Sequence, residues 1–213
     1  MESIRVRNLR SLADTGDVEL KPITLLVGAN SSGKSSFLRV FPMLRQSAET
    51  RTGSGLLLNE PYVDYGQFPV ALRQDADPAE MILDFKVMLA PRSFGPTTRF
   101  SFLLDRLPVR FGVHFARRSQ AELYSFVRQV DLAIGDDDWK EEIVLQASEG
   151  GNITSLKIGD HVAQSEASRL RLKAGRGIVP QLIPASMDDD EGQLFVEDNS
   201  VRSGLYRSAS SGD

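Results

Sequence analysis

The sequence contains no cysteine, and its only histidines are His114 and His161. Without thiols it offers no disulfide framework, no thiol nucleophile and no cysteine-based zinc site. A chain of 213 residues needs no such crosslink, because folding at this length buries roughly 70% of the surface of the unfolded chain. We therefore expect an ordinary hydrophobic core as the source of stability.

Long apolar runs and a strong charge of one sign are also absent. No stretch reaches the roughly 18 apolar residues that a transmembrane helix requires, and residues 1–5 lack the apolar core of a signal peptide. The net charge is −4 at pH 7, so the overall balance does not indicate a nucleic-acid partner. We expect a cytoplasmic protein with no membrane partner.

Charge is nevertheless unevenly distributed along the chain. Residues 92–128 hold seven arginines and two acids, whereas residues 131–142 hold six acids and one lysine. The arginine-rich segment is either the solvated face of a few strands or a basic surface for a nucleic-acid backbone or an acidic partner. The pattern alone leaves both interpretations open.

Hydrophobic periodicity predicts a strand–loop–helix unit at the start of the chain. Residues 4–7 alternate as in a half-buried strand, and residues 23–27 form an uncharged, β-branched run typical of a central strand covered on both faces. Helical spacing begins at Lys34, and we expect Pro42 to bend or shorten that helix. Residues 46–66 are typical of a loop.

The remainder of the chain returns to the period-two pattern of strands. Residues 120–134 are ambiguous between strand and helix, and Gly150-Gly151-Asn152 predicts a hairpin turn. The alternating segments are 81–89, 100–104, 109–115, 142–147 and 153–158. The fold class that this order predicts is α/β, with a mixed sheet and an antiparallel lobe over about residues 80–160. Residues 203–213 are Ser/Gly-rich and predict a flexible tail or a point of truncation.

Residues 28–35, GANSSGKS, satisfy every fixed position of the phosphate-binding pattern GxxxxGK(S/T). Glycines allow such a loop to fold around a phosphate and point successive amides inward, while the helix N-terminus adds unpaired N–H groups and a partial positive charge. Lys34 should reach the β- and γ-phosphates, and the Ser35 hydroxyl should ligate Mg²⁺. The candidate phosphate-binding residues are Gly28, Ala29, Asn30, Ser31, Ser32, Gly33, Lys34, Ser35 and Ser36.

Residues 4–45 resemble the opening of SMC/RecF-like ABC-type ATPases, and most closely the OLD family and related AAA-type ATPases of bacterial anti-phage systems. The features that carry the resemblance are the NLRSL segment at residues 8–12 and the SGKSSFL continuation of the loop. The resemblance implies ATP and Mg²⁺ as ligands, with Arg10 and Ser11 near the nucleotide, although a solvated arginine at the end of a strand is the favoured alternative for Arg10. It also implies that Gln67 contacts Mg²⁺ and the attacking water, although an ordinary polar loop residue is an equal alternative.

The family pattern further requires a serine-glycine signature and a catalytic Asp-Glu pair after four apolar residues. Neither is convincing here: residues 193–198 place only three apolar residues before acids in the reverse order. The expectation that follows is an incomplete ATPase head, with residues 1–202 as its N-terminal lobe and the second half missing or on another chain. The resemblance implies ATP-dependent dimerisation of heads, a Toprim-type nuclease effector, and DNA or a phage protein as trigger.

Three functions remain open from the residues alone. The first is an ATP-hydrolysing head that gates an effector, and the second is a module that binds ATP and orders an assembly without turnover. The third is a small-molecule kinase, which would use arginines of residues 92–128 as a lid. A GTPase is disfavoured because the guanine-reading Asn-Lys-x-Asp motif is absent.

Overall fold

The structure is a computed structural model of the chain. It describes residues 1–49, 56–59, 61–89, 107–117, 124–135, 140–163, 170–173 and 181–184. The predicted strand at residues 100–104, the acidic segment at 193–198 and the tail at 203–213 lie outside these ranges. No helix in the described part of the chain is long and apolar enough to cross a membrane.

The described residues form two helices and eleven strands. The helices are α1 (Lys34–Glu49) and α2 (Phe68–Ala71). The strands are β1 (Ser3–Leu9), β2 (Leu12–Asp14), β3 (Val18–Glu19), β4 (Glu80–Leu89), β5 (Leu107–Ala116), β6 (Phe126–Gly135), β7 (Lys140–Ala147), β8 (Ile153–Ile158), β9 (His161–Val162), β10 (Leu170–Lys173) and β11 (Gln181–Pro184).

Nine of these strands form one sheet, in the order β2-β1-β4-β5-β6-β7-β8-β9, with β3 also paired to β1. Every pairing between the described strands is antiparallel. The expected mixed sheet is therefore wrong for this part of the chain, since its parallel component depended on a strand at residues 23–27. The described part of the chain forms an antiparallel sheet with two helices.

The main core lies between α1 and the sheet formed by β1, β4 and β5. Strand alternation places Met81, Leu83 and Phe85 on the covered face of β4, and all three are buried. From the helix, Phe37 and Val40 pack into the same cluster. The apolar face of β4 and the apolar face of α1, which the period-two and helical patterns mark in the sequence, thus belong to one core.

Helix α1 continues through Pro42 to Glu49, so the expected shortening is wrong. Residues on both sides of the proline, including Val40 and Met43, are fully buried. Their burial favours the helical conformation and opposes the cost of the missing amide proton. The helix also reaches into the segment that the composition predicted to be loop.

Gln46 fixes the segment that follows α1. Its amide group is fully buried, and it donates to the carbonyls of Leu57 at 2.6 Å and Val63 at 3.2 Å. Its carbonyl oxygen accepts from the backbone N–H groups of Tyr62 and Val63, each at 3.0 Å. All hydrogen-bonding capacity of one buried side chain is therefore used to hold irregular backbone against the helix.

Residues 23–27 do not form the expected central strand. They have no strand assignment, and Ile23, Leu25 and Val27 are 89%, 81% and 80% exposed. Only Leu26 packs against the main core, as a partly buried residue. A strand needs a neighbour to satisfy its backbone groups, and no described strand pairs with this run.

Within the ambiguous segment at 120–134, residues 126–134 belong to the strand β6, and residues 120–123 lie outside the described ranges. The predicted hairpin is confirmed: β7 pairs with β8 around the turn at residues 148–152. Five buried residues from β6, β7, β8 and β10 make a second, smaller apolar cluster. They are Val130, Ala147, Ile153, Leu156 and Leu172.

His114 links three adjacent strands on the opposite face of the sheet. Its Nδ1 lies 3.2 Å from Glu80 Oε2 on β4, and its Nε2 lies 2.8 Å from Asp131 Oδ2 on β6. Burial of the ring opposes the imidazolium, but hydrogen bonds and charge from Asp131 and Glu80 outweigh it, so the pKa of His114 is raised above its ordinary 6.5. Protonated His114 therefore donates to two carboxylates across β5, Asp131 and Glu80, and Glu80 is also paired with Arg128 of β6.

We expect the free energy of unfolding to fall as pH rises through the raised pKa of His114. The imidazolium contribution is fully present below the unfolded pKa of 6.5 and is lost above the folded value, where two acids are left around a neutral ring. Urea unfolding between pH 6 and pH 9 measures this loss. His114→Gln should unfold with a flatter pH profile over that range, and an unchanged profile would contradict the assignment.

Candidate nucleotide-binding site

The loop at residues 28–35 contains positive-φ residues and runs directly into the N-terminus of α1. Ser31 and Gly33 adopt positive φ angles of 62° and 92°. The first helical hydrogen bond runs from the Phe37 N–H to the Gly33 carbonyl at 2.9 Å. The preceding N–H groups at the start of α1 have no partner within the helix, so they can donate to an anion.

Lys34 is held by the loop that precedes it. Its ammonium donates to the carbonyl oxygens of Gly28 at 2.8 Å and Ala29 at 2.5 Å, and lies 3.4 Å from Ser32 Oγ. These contacts fold the side chain back over the loop, so its charge lies beside the loop and on the wall of the cavity described below. A point charge in that position suits phosphate oxygens.

Gly33 packs closely against the turn between β1 and β2. A Cβ atom at this position would lie 2.5 Å from Leu12 Cδ2 and 3.1 Å from Ser11 Oγ. The glycine therefore permits both the left-handed backbone and the close approach of the neighbouring turn. This packing places Ser11 directly beside the N-terminus of α1.

Arg10, at the end of β1, is linked through Tyr65 to the first turn of α1. Its Nη2 donates to the Tyr65 carbonyl at 2.9 Å, and its guanidinium carbon lies 5.9 Å from the centre of the Tyr65 ring. The Tyr65 hydroxyl in turn donates to the Ser36 carbonyl. Burial raises the pKa of Tyr65 to about 12, so the hydroxyl keeps its proton and remains a donor.

A cavity of about 890 Å³ opens in front of the loop. It is bounded by Arg10, Ser11, Asn30, Ser31, Gly33, Lys34, Ser35, Ser36, Pro69, Val70, Leu72, Arg73, Gln74 and Asp75. Arg10 and Ser11 thus share one cavity with the loop, as the resemblance implies for residues near a nucleotide. Gln67 is exposed, begins α2 and does not line this cavity.

Arg73, Gln74 and Asp75 line the cavity although the sequence pattern did not single them out. Arg73 Nη2 donates to Asp75 Oδ2 at 2.7 Å, and Nη1 donates to the Ser11 carbonyl at 3.2 Å. The hydrogen bond from Arg73 lowers the pKa of the Asp75 carboxyl below its ordinary value. No sequence periodicity marks these residues, because a long-range bridge between Leu72 and Leu9 brings them to the site.

The described arginines of residues 92–128 lie away from this cavity. They are Arg110, Arg117 and Arg128, and none of them lines it. Arg110 Nη2 lies 3.0 Å from Asp17 Oδ2, and Arg128 pairs with Glu80. A kinase lid built from these three side chains has no support in the described residues.

The structure provides the groups that a Mg²⁺–nucleotide requires at this loop. Lys34, the loop amides and the α1 N-terminus would hold the phosphates, and the Ser35 hydroxyl, exposed in the first turn of α1, would ligate Mg²⁺. No cluster of three or more histidine and acidic side chains is arranged for a metal in the described residues. Magnesium keeps several waters and takes phosphate oxygens beside the loop hydroxyl, so Ser35 would supply one of its ligands, and the acidic residue that completes such sites would come from outside the described residues.

Gly33→Ala should destabilise the protein by about 2–4 kcal/mol, because it adds backbone strain and displaces Leu12. Gly16→Ala is the matched control: Gly16 also has a positive φ, 63°, but a Cβ there meets nothing within 4 Å. Urea unfolding measures the free energy of unfolding that each variant loses, and the excess loss in Gly33→Ala is the contribution of the collision with Leu12 and Ser11. Equal losses in the two variants would contradict the close packing of Gly33.

Comparison with known proteins gives one result for the N-terminal part of the chain. Residues 1–86 match the family described as the AAA ATPase domain. No significant match was found among curated proteins or among solved structures. The matched segment contains β1–β3, the loop, both helices and most of β4. It supports assignment of this segment to the AAA/P-loop ATPase family, and with it an ATP-binding or ATP-hydrolysing function in general.

Proposed function

We propose that the chain is the ATP-binding lobe of an SMC/OLD-like ATPase head, whose catalytic carboxylate comes from outside its described residues. The observation that carries the proposal is the geometry of residues 28–36. A lysine folded onto loop carbonyls, a positive-φ glycine and an open helix N-terminus converge on one cavity. ATP hydrolysis at such a site is mainly positioning and electrostatic stabilisation of the transferred phosphoryl group.

The charge of the cavity favours a polyanion. Its charged lining consists of Arg10, Lys34, Arg73 and the single acid Asp75, within the described residues. Three cations converge on a cleft whose other walls are hydroxyls and apolar groups such as Pro69 and Val70. A nucleoside triphosphate matches this combination, because its phosphate tail needs cations and its nucleoside needs apolar surface.

The exposed run at residues 23–27 supports completion of the head by another strand. Burial of each Ile, Leu or Val side chain contributes about 1.5–3 kcal/mol, yet three such side chains in this run are at least 80% exposed. They alternate, which is the spacing of one face of a strand. Since phosphate-binding loops of this pattern follow a strand, a strand supplied from elsewhere would order this run directly in front of the loop.

Hydrolysis would require a carboxylate to polarise water at the cavity. Asp75, the acid that lines the cavity in the described part of the chain, is bound by Arg73 in this structure. Asp75 also lacks the context that the family pattern requires for this role, four apolar residues followed by Asp-Glu, because Arg73 and Gln74 precede it. We therefore assign the catalytic carboxylate of the complete head to a segment outside the described residues.

The biological role that accompanies this proposal rests on the resemblance of residues 4–45. It comprises ATP-dependent dimerisation of heads, gating of a Toprim-type nuclease effector, and DNA or a phage protein as trigger in anti-phage defence. The alternative is a module that binds ATP and orders an assembly without turnover. The lack of an available carboxylate at the cavity favours that alternative for this chain alone, and phosphate release separates the two.

Lys34→Ala should abolish binding of Mg-ATP, because the ammonium held on the loop carbonyls is the principal cation for the β- and γ-phosphates. Isothermal titration of the full chain measures the loss, with phosphate release followed in parallel. Lys157→Ala is the control, since Lys157 is an exposed lysine of β8 outside the cavity. That variant should bind like the parent chain.

Two outcomes would contradict different parts of the proposal, the phosphate site and the source of the catalytic carboxylate. Mg-ATP binding that survives Lys34→Ala would mean that the loop is not the phosphate site. Lys34-dependent turnover by the chain alone would mean that it carries its own catalytic carboxylate. Binding that depends on Lys34 and occurs without turnover is the expected result.

A further inference from the structure

We infer that Arg73 binds the phosphate tail of the nucleotide, and that Asp75 is its competing partner when no nucleotide is present. This inference rests on the proposed function and names a second cation and an inhibitory acid at the same site. Neither residue belongs to the loop pattern.

The backbone of Arg73 is fixed relative to the loop. Its N–H donates to the Asn8 carbonyl at 3.0 Å, and the Arg10 N–H donates to the Ala71 carbonyl at 2.8 Å. Between them, the buried Leu72 forms an antiparallel bridge with Leu9. The segment is therefore attached to the end of β1, immediately before the Arg10–Ser11 turn.

That turn connects Arg73 to the phosphate-binding loop. Arg73 Nη1 donates to the Ser11 carbonyl at 3.2 Å. Ser11 Oγ lies against Gly33, where an added Cβ atom would be 3.1 Å from it. Gly33 immediately precedes Lys34 and the N-terminus of α1. The guanidinium is thus linked through Ser11 to the start of α1, and Arg73 lines the same cavity as Lys34.

The ion pair with Asp75 is suited to exchange rather than to structural support. The Asp75 side chain is 68% exposed, and Arg73 holds it across one intervening residue with Nε–Oδ1 and Nη2–Oδ2 contacts of 2.6 and 2.7 Å. Exposed ion pairs contribute little to stability because water screens them. Arginine, however, binds phosphate oxygens through the same planar fork that it uses for a carboxylate.

A triphosphate that enters the cavity presents several negative charges to this fork, whereas Asp75 presents one. The guanidinium can turn from the carboxylate to phosphate oxygens while its backbone stays fixed on β1. Removal of Asp75 should therefore strengthen nucleotide binding, and removal of Arg73 should weaken it. Opposite signs from the two members of one ion pair exclude a purely structural pair, whose loss would weaken binding in both variants. Competition further requires that Asp75→Asn has no effect when Arg73 is replaced by alanine, whereas a change of charge alone would act in either background.

The test is isothermal titration of the full chain with Mg-ATP and with Mg-pyrophosphate. We expect Arg73→Ala to weaken both ligands about 10-fold, Arg73→Lys to recover part of the loss, and Asp75→Asn to tighten both about 3-fold. Pyrophosphate lacks a nucleoside, so a loss that appears with both ligands locates the contact on the phosphates. Thermal unfolding of each variant checks that the fold is retained.

Four results would overturn the inference. Arg73→Ala and Asp75→Asn could weaken binding alike, which would make the pair structural. Arg73→Ala could weaken Mg-ATP but not pyrophosphate, which would place the guanidinium on the nucleoside. Both variants could bind like the parent chain while Lys34→Ala does not bind, in which case the proposed function stands and this inference fails. Failure of the parent chain to bind either ligand would overturn both.

Discussion

The site depends on the close approach of Gly33 to the turn between β1 and β2. This contact joins the start of α1 to the end of the first strand and brings Ser11 beside the helix N-terminus. Because Arg10 and Arg73 are both attached to the same strand end, the approach of Gly33 also decides where the two guanidinium groups lie relative to Lys34. A side chain at position 33 would collide with the side chains of Leu12 and Ser11 and would strain the positive-φ backbone of the loop.

Two features of the fold support that contact from opposite sides. On one side, α1 is buried against β1, β4 and β5, and Gln46 fixes the chain that leaves its C-terminal end. On the other side, the short α2 and the Leu72–Leu9 bridge return the chain to β1. The helix N-terminus is therefore held by packed structure, while the loop in front of it is open to the cavity.

Much of this arrangement is predictable from the sequence, because local patterns determine it. Alternation predicts β1, β4, β5 and the β7–β8 hairpin, since each has one face in a core. The loop pattern likewise predicts the residues that surround Lys34. The contribution of Arg73 and Asp75 is not predictable in this way, because it depends on the pairing of Leu72 with Leu9 across more than sixty residues of chain.

The errors at residues 23–27 and at Pro42 have related causes. An apolar, β-branched run predicts a strand only when another strand is available to satisfy its backbone, and the described sheet offers none to residues 23–27. Conversely, the prediction from Pro42 considers only the local helix, whereas buried neighbours on α1 maintain the helix through it. In the first case the local preference for a strand fails because no partner strand is present, and in the second the local effect of proline is overcome by burial of the neighbouring side chains.

The most direct test of the account is hydrogen–deuterium exchange with and without saturating Mg-ATP. If residues 28–36 bind the phosphates, the amides of residues 30–36 become hydrogen-bonded to the ligand, and their exchange should slow. The amides of the β7–β8 hairpin, which lie outside the cavity, should exchange at an unchanged rate. Unchanged exchange at residues 30–36 in the nucleotide-bound protein would contradict the central claim that this loop is the phosphate site.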